Sequence, residues 1–337
     1  MAAARITAIL AALLAMPSLA AAPLPLFEDS SVIDANLEGP LGDLADRPDS
    51  RDQLPFTLRA DGDEHAIKVR LRGKSRLRIC DFLPLRLNFR KGEVDGTLFA
   101  AQDKLKLVVP CRSSPRAEED LVEEYAIYRM FNLLTPASYR VRLLHTTFTD
   151  TSRDGEQTRL HTFLLEPEDQ LAARLDGKTS QKAEVALTWL EPEHMALVYV
   201  FQYLIGNLDW SLVTPDGETV CCHNGTLVET GEELLYVPYD FDLSGFVDAP
   251  YAFPPPGLRL RSVTQRRYRG FCTDRQFLAQ ALETIVAKRP EIIALIRSLP
   301  VLSDKDKQRR INYLDQFFRA AENEDRLLDR FGKRCLD

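Results

Sequence analysis

Apolar and polar residues alternate strictly in several short runs of the first half of the chain. In HAIKVRLRG, Ile67, Val69 and Leu71 fall on one side while Lys68, Arg70 and Arg72 fall on the other, which is the pattern of a half-buried antiparallel strand. LPFTLRA and LPLRLNF repeat it before and after, separated by Asp-Gly and Pro turns, so 27–90 reads as a set of short strands. AQDKLKLVVPC continues the series, with Leu105, Leu107 and Val109 on one face and Lys104 and Lys106 on the other. The period then changes. Over 117–134, Leu121, Tyr125, Tyr128 and Phe131 mark one helical face and Val122, Ala126, Ile127, Met130 and Leu134 cover much of the rest. Acids in the first turn and Pro136 beyond the end complete the signature of a mostly buried helix. Two further strands, SYRVRLLHTTFTD and TRLHTFLLE, flank a polar turn at 152–155; a connector with a short helix follows, and 177–182 reads as a flexible linker.

The second half is helical. MALVYVFQYLI in 193–205 is apolar nearly all round and therefore central, and Gly206 should end it. After a short apolar strand at 234–237 and a proline-broken stretch, helices are predicted at 274–288, 290–298 and 303–331, with charge on their outer faces. The expected fold is α+β and two-lobed: a strand-rich N-lobe with one long helix over 23–180, and a helical C-lobe over 181–337. The lobe boundary falls within 165–184.

Residues 1–22 carry one cation, Arg5, an apolar run, and a small-residue end, the pattern of a secretory signal peptide cut after Ala20. An uncleaved anchor is the alternative. An exported chain, periplasmic or extracellular, with no transmembrane segment after cleavage, is thus expected. Of the 337 residues, 43 are Lys or Arg and 50 are Asp or Glu, and losing Arg5 leaves a net charge of −8, which argues against a broad nucleic-acid surface. All six cysteines lie beyond the leader, and an even number in an exported chain implies disulfides. Cys80 and Cys111 flank a strand pair that should return the chain on itself, so they are expected to be bonded. Cys272 with Cys335 is a weaker expectation of the same kind. Cys221-Cys222-His223 resembles a soft-metal cluster but lacks a second ligand pair at zinc-like spacing.

The candidate chemistry concentrates in 206–245, which contains GNLDWS, then CHNG, then YVPYDFDLSG. Asp209 follows the central helix, and Asp240 and Asp242 sit at the mouth of the 234–237 strand. Two carboxylates one residue apart on an extended segment point to the same side, so Asp240 and Asp242 can share one hard cation, with Asn207 and Asn224 adding neutral oxygens. Ordinary turns would also account for Asn-Leu-Asp and Asp-Phe-Asp. Upstream, Arg72-Gly73-Lys74-Ser75 forms a basic turn able to close over phosphates, or a solvated hairpin.

The order of helix, GNLDWS, HN, strand and PYDFD resembles the spore coat protein H (CotH) family of atypical protein-kinase-like proteins, and the resemblance extends back to about Arg70. It implies that Asp209 is the catalytic base and that Asp240 and Asn224 hold Mg²⁺ or Mn²⁺, with Asp242 as a rival. It also implies that Lys106, paired with Glu124, orients the phosphates of ATP or another donor, helped by Arg72, Lys74 and Ser75. Lys104 and Glu123 are the alternatives for that ion pair. Arg259, Arg261, Arg266, Arg267 and Arg269 lie where an activation segment would be, as a solvated run or a surface for an acidic partner. The implied function is an exported kinase-like phosphotransferase acting on an unidentified hydroxyl, in a protein or an envelope polymer. A non-catalytic kinase-fold module of the envelope and a metal-dependent phosphoesterase are the other readings.

Overall fold

The computed structural model describes residues 24–73, 76–90, 92–214 and 220–336. The expected leader at 1–22 lies outside the described residues. Seven strands form a closed mixed barrel: β1 (Ile33–Gly39), β2 (Leu54–Ala60), β3 (Asp63–Leu71), β4 (Leu85–Asn88), β5 (Lys104–Val108), β6 (Val141–Asp150) and β7 (Glu156–Leu165), in the order β1-β2-β3-β4-β5-β7-β6. Closure comes from the parallel pairing of β1 with β6, in which Ile33 lies opposite Leu144 and Gly39 opposite Asp150. The alternation works as predicted. Ile67, Val69 and Leu71 point into the barrel with Leu85, Leu87, Leu105 and Leu107, while Arg70 and Lys106 stay outside.

Short turns of helix, α1 (Pro25–Glu28), α2 (Leu41–Ala45) and α3 (Arg76–Ile79), decorate the barrel. Helix α4 (Pro115–Asn132) joins it to the helical region. It starts two residues before the periodicity does, because Ser114 Oγ accepts the Ala117 amide at 3.3 Å and Pro115 supplies the first helical residue. On the barrel side Tyr125 and Tyr128 meet Phe163, and on the other Phe131 stacks on Phe201 with centroids 4.5 Å apart.

The helical region comprises α5 (Glu168–Arg174), α6 (Pro192–Ile205), α7 (Arg275–Ala287), α8 (Arg289–Ser298), α9 (Asp304–Ala321) and α10 (Glu324–Gly332). The single helix expected at 303–331 is two, because Asn323 starts a new one by accepting the Arg326 amide at 3.1 Å. A small sheet of order β10-β9-β8 combines β8 (Lys178–Thr179), β9 (Gly225–Thr230) and β10 (Glu233–Pro238). The segment expected as a free linker is thus partly a strand, with Lys178 opposite Glu229. Both expected disulfides are present, and Cys221 bonds Cys222, which uses the thiols a zinc site would need. Closing the Cys80–Cys111 loop of 31 residues is worth roughly 3 to 4 kcal/mol in the chain-entropy model. Among the described residues no helix is long and apolar enough to cross a membrane.

Three acids are buried on α4: Asp120, Glu123 and Glu124. Burial pushes Glu123 up to about 7 against the opposing pull of Arg310 and Arg116. Arg310 Nε lies 2.5 Å from Glu123 Oε1, with both side chains almost wholly buried. Replacing Arg310 by Met should therefore cost about 3 to 5 kcal/mol near ~pH 8, where Glu123 stays charged and buried with only the more distant Arg116, at 3.4 Å, beside it. A folded carboxyl with a raised pKa takes up its proton as pH falls, so the loss should shrink towards ~pH 5. Urea denaturation of both proteins at the two pH values checks this; an equal loss at both would contradict it.

Candidate active-site cleft

Helix α6 stops where glycine is required. Gly206 has φ 65°, and a Cβ there would lie 2.1 Å from the Tyr313 hydroxyl, so neither the backbone nor the packing tolerates a side chain. The carbonyls at the helix end are taken by the downstream arginines: Arg266 Nε donates to Leu204 O at 3.0 Å and Arg269 donates to Leu208 O. Two members of the basic run are thus built into the fold, whereas Arg259 and Arg261 remain exposed. Immediately after the helix, Asn207 Oδ1 accepts the Asp209 amide at 3.0 Å and sets the turn that presents Asp209.

The β9–β10 hairpin delivers the rest of this group. Gly225 lies opposite Pro238, so His223 and Asn224, just before β9, and Asp240, just after β10, leave the ladder at the same end. A Cβ on Gly225 would fall 2.0 Å from the Tyr236 ring, whose hydroxyl donates to the carbonyls of His223 and Asn224 at 3.0 and 3.1 Å. Asn224 adopts φ 51°, a conformation that asparagine tolerates, and its Nδ2 donates to Asp209 Oδ2 at 2.8 Å and to Asp209 O at 2.7 Å. His223 Nε2 lies 2.8 Å from Asp209 Oδ1. That hydrogen bond raises the His223 pKa above its ordinary value, against partial burial.

Asp240 and Asp242 do converge, by a different route from the one expected. The segment is not extended: Asp240 has φ 61°, its amide donates to Tyr128 Oη at 2.9 Å, and a turn follows in which Ser244 N bonds Phe241 O. Phe241 turns inward between Tyr128 and Phe201. Both carboxylates then meet one side chain, Arg76. Its Nη2 lies 2.9 Å from Asp240 Oδ1, 2.8 Å from Asp242 Oδ2 and 3.9 Å from Glu124 Oε2. Burial pushes Glu124 up to about 8 and Asp242 up to about 6, in each case against the pull of Arg76. Burial also opposes the charge on Arg76, but Asp242, Asp240 and Glu124 overcome it and hold the guanidinium firmly protonated. Tyr251 Oη donates to Asp242 at 3.0 Å.

The expected pair of Lys106 with Glu124 does not form. Lys106 sits where β5 meets the end of β7, opposite Leu165, and this delivers its Nζ to Glu168 at 2.8 Å and over the Tyr239 ring at 5.4 Å. Glu124 faces α3 instead. Nor do the alternatives pair with each other: Lys104 is exposed beside Asp103, and Glu123 belongs to Arg310 and Arg116. The sequence reading did not single out Arg76, although it stands next to the basic turn and four residues before Cys80. Arg72 lines the cleft, while Lys74 and Ser75 lie outside the described residues.

Two cavities flank the Lys106–Glu168 pair. One, of about 600 Å³, is lined by Arg51, Arg70, Arg72, Gly73, Arg86 and Lys106. The other, of about 390 Å³, holds His223, Asn224, Tyr239 and the Lys106 partner Glu168. A larger one of about 960 Å³, beyond the end of α4 beside Phe27 and Arg174, contains none of these acids. The carboxylates do not fit the divalent cation expected at Asp240, Asp242 and Asn224: the place between the two aspartates is filled by Arg76, and Asn224 turns to Asp209. Among the described residues no group of three or more His, Cys, Asp or Glu side chains is arranged to hold a metal ion.

No family model and no curated protein matches the sequence. Among solved structures, the chain is similar to one titled "Crystal structure of A Helicobacter pylori proinflammatory kinase CtkA", with 13% identity over 74% of this chain and 93% of that one, at a TM-score of 0.35. A likeness of that size carries no argument about fold or activity.

Proposed function

We propose that the chain is an exported kinase-like phosphotransferase, working in the cleft between an N-lobe over 23–180 and a C-lobe over 181–337. One observation carries this reading: the Asp209 carboxylate is held by His223 and Asn224, near enough to Asp240 and Asp242 for their charges to interact, and a cavity lined by cations lies on the other side of the Lys106–Glu168 pair from the cavity that holds His223 and Asn224. The order of these groups along the chain, and its resemblance to the CotH family, supports it. So do the Cys80–Cys111 and Cys272–Cys335 disulfides, which suit an oxidising compartment.

In this reading Lys106, Arg72 and their neighbours hold the phosphates of ATP or another donor. The acceptor hydroxyl, on a protein or an envelope polymer, approaches Asp209. Its proton passes to the Asp209 carboxylate as its oxygen bonds to phosphorus and the bond from phosphorus to the donor oxygen breaks. His223 and Asn224 fix the direction of that carboxylate, so the protein contributes position and charge more than covalent chemistry.

A second reading, a binding module of the same cleft without turnover, is favoured by the position of Arg76 among the acids. The two separate in one variant. Asp209→Asn keeps shape and removes the base, so it should lower transfer from ATP at least ~100-fold while leaving donor affinity within about twofold. Absence of any transfer by the wild type, with or without Mg²⁺ and Mn²⁺, alongside retained ATP binding, would point to the module.

The histidine gives a separate check. The ordinary imidazole value is 6.5, and the bond to Asp209 raises it in the folded chain. The stabilisation from this pair is therefore complete below ordinary imidazole pH and is lost as pH rises through the raised value. An NMR titration should show His223 above its ordinary value in the wild type and back at or below it in Asp209→Asn. Identical titrations in the two proteins would mean that the pair does not form.

A further inference from the structure

We infer that this cleft binds its phosphate-bearing ligand without a divalent metal, Arg76 standing where the metal would stand and the barrel arginines neutralising the phosphates. The inference rests on the phosphotransferase reading for the chemistry of the ligand, and concerns how the charge of that ligand is met.

The first half of the argument is the position of Arg76. A Mg²⁺ shared by Asp240 and Asp242 would bridge one oxygen from each, at about 2.0–2.1 Å. The Arg76 nitrogen already bridges those two carboxylates, at 2.9 and 2.8 Å. It is not a loose surface side chain, being only 16% exposed. Its anchorage is covalent: α3 runs directly into Cys80, which is bonded to Cys111, and the next amide, Asp81 N, bonds Cys111 O at 2.7 Å. Arg76 is thereby held against α4 and the acids from both sides.

The second half is a surplus of positive charge beside it. Across three neighbouring antiparallel strands, Arg70 lies directly opposite Arg86 and Arg86 directly opposite Lys106. Like charges in register across strands destabilise a sheet. Arg72 stands two residues along the same face and Arg51 approaches from the β1–β2 connection; Lys106 is met by Glu168 at 2.8 Å outside the cavity, but the described lining itself contains no carboxylate. Burial holds Arg70 below the usual guanidinium range, with Arg86 and Arg51 adding to the effect. Both Arg72 Nε and Arg86 Nε are buried with no hydrogen-bond partner among the described residues. An unmet buried donor costs stability unless something else supplies the acceptor. Several anionic oxygens in a row, as in a di- or triphosphate chain, would give these guanidinium groups their counter-charge and relieve the repulsion at once. A ligand so neutralised needs no accompanying metal, and the acids on the far side have no site left for one.

The shared chemistry is a polyphosphate chain, from a nucleotide or from inorganic polyphosphate. The test is isothermal titration of the full chain with ATP and with inorganic tripolyphosphate, each in EDTA and in excess Mg²⁺. Binding of either probe in EDTA, at least as tight as in Mg²⁺, is the expected result, and the tighter probe identifies the source. Arg86→Gln should weaken it about tenfold or more. Arg76→Gln frees Asp240 and Asp242, so Mg²⁺ should then strengthen binding where it does not in the wild type. Should that variant fail to fold, Arg86→Gln on the outer barrel face and the EDTA comparison still decide. Wild-type binding that EDTA abolishes and Mg²⁺ restores would overturn this inference and leave the phosphotransferase reading standing. Absence of binding in both buffers would overturn both.

Discussion

A mostly buried guanidinium held by two buried acids, Glu124 and Asp242, and by the half-exposed Asp240 is the constraint on which this cleft depends. Arg76 meets Glu124 from α4 and Asp240 and Asp242 from the turn after β10, so three segments far apart in sequence share one charge. Taking such groups out of water is expensive, and the arrangement persists only while each has its partner. Tyr128 and Tyr251 complete it, one accepting the Asp240 amide and the other donating to Asp242. Loss of the arginine would leave acids that must take up protons.

Helix α4 makes this possible because it is loaded on two sides. Consecutive residues on a helix point about 100° apart, so Glu123 and Glu124 address different neighbours. Glu123 reaches Arg310 of α9 and Glu124 faces Arg76 of α3. The aromatic rings between them, Tyr125, Tyr128 and Phe131, pack against Phe163 on the barrel and against Phe201 and Phe241 beyond it. One helix thus transmits position from the barrel, where the cations are, to the loops that carry Asp209 and Asp240.

Much of this was legible in the sequence where a local rule decides the outcome. Strand alternation placed Ile67, Val69 and Leu71 inside the barrel and Arg70 and Arg72 outside. Glycine chemistry ended α6 at Gly206, and the strand pair that Cys80 and Cys111 flank identified their bond. Choices among equivalent partners were not legible. Glu123 and Glu124 have the same apolar flanks, and only the tertiary fold gives one to Arg310 and the other to Arg76. Lys106 went to Glu168 because the β5–β7 register ends there, a long-range pairing that no spacing reveals. The first strand, IDANLEG, is poorly marked because two of its inward positions are Ala35 and Gly39. Asp240 escaped for a further reason: its left-handed backbone conformation breaks the extended geometry on which the period-two argument rested.

The central claim is that Arg76 and the two aspartates form one coupled unit. A double-mutant cycle on Arg76→Met and Asp242→Asn, followed by equilibrium urea denaturation, tests it most directly. The account predicts that each single change destabilises the chain and that the double variant is less destabilised than their sum, by about 1 to 3 kcal/mol. Additivity within about 0.5 kcal/mol would mean that the two side chains do not share a site, and would contradict it.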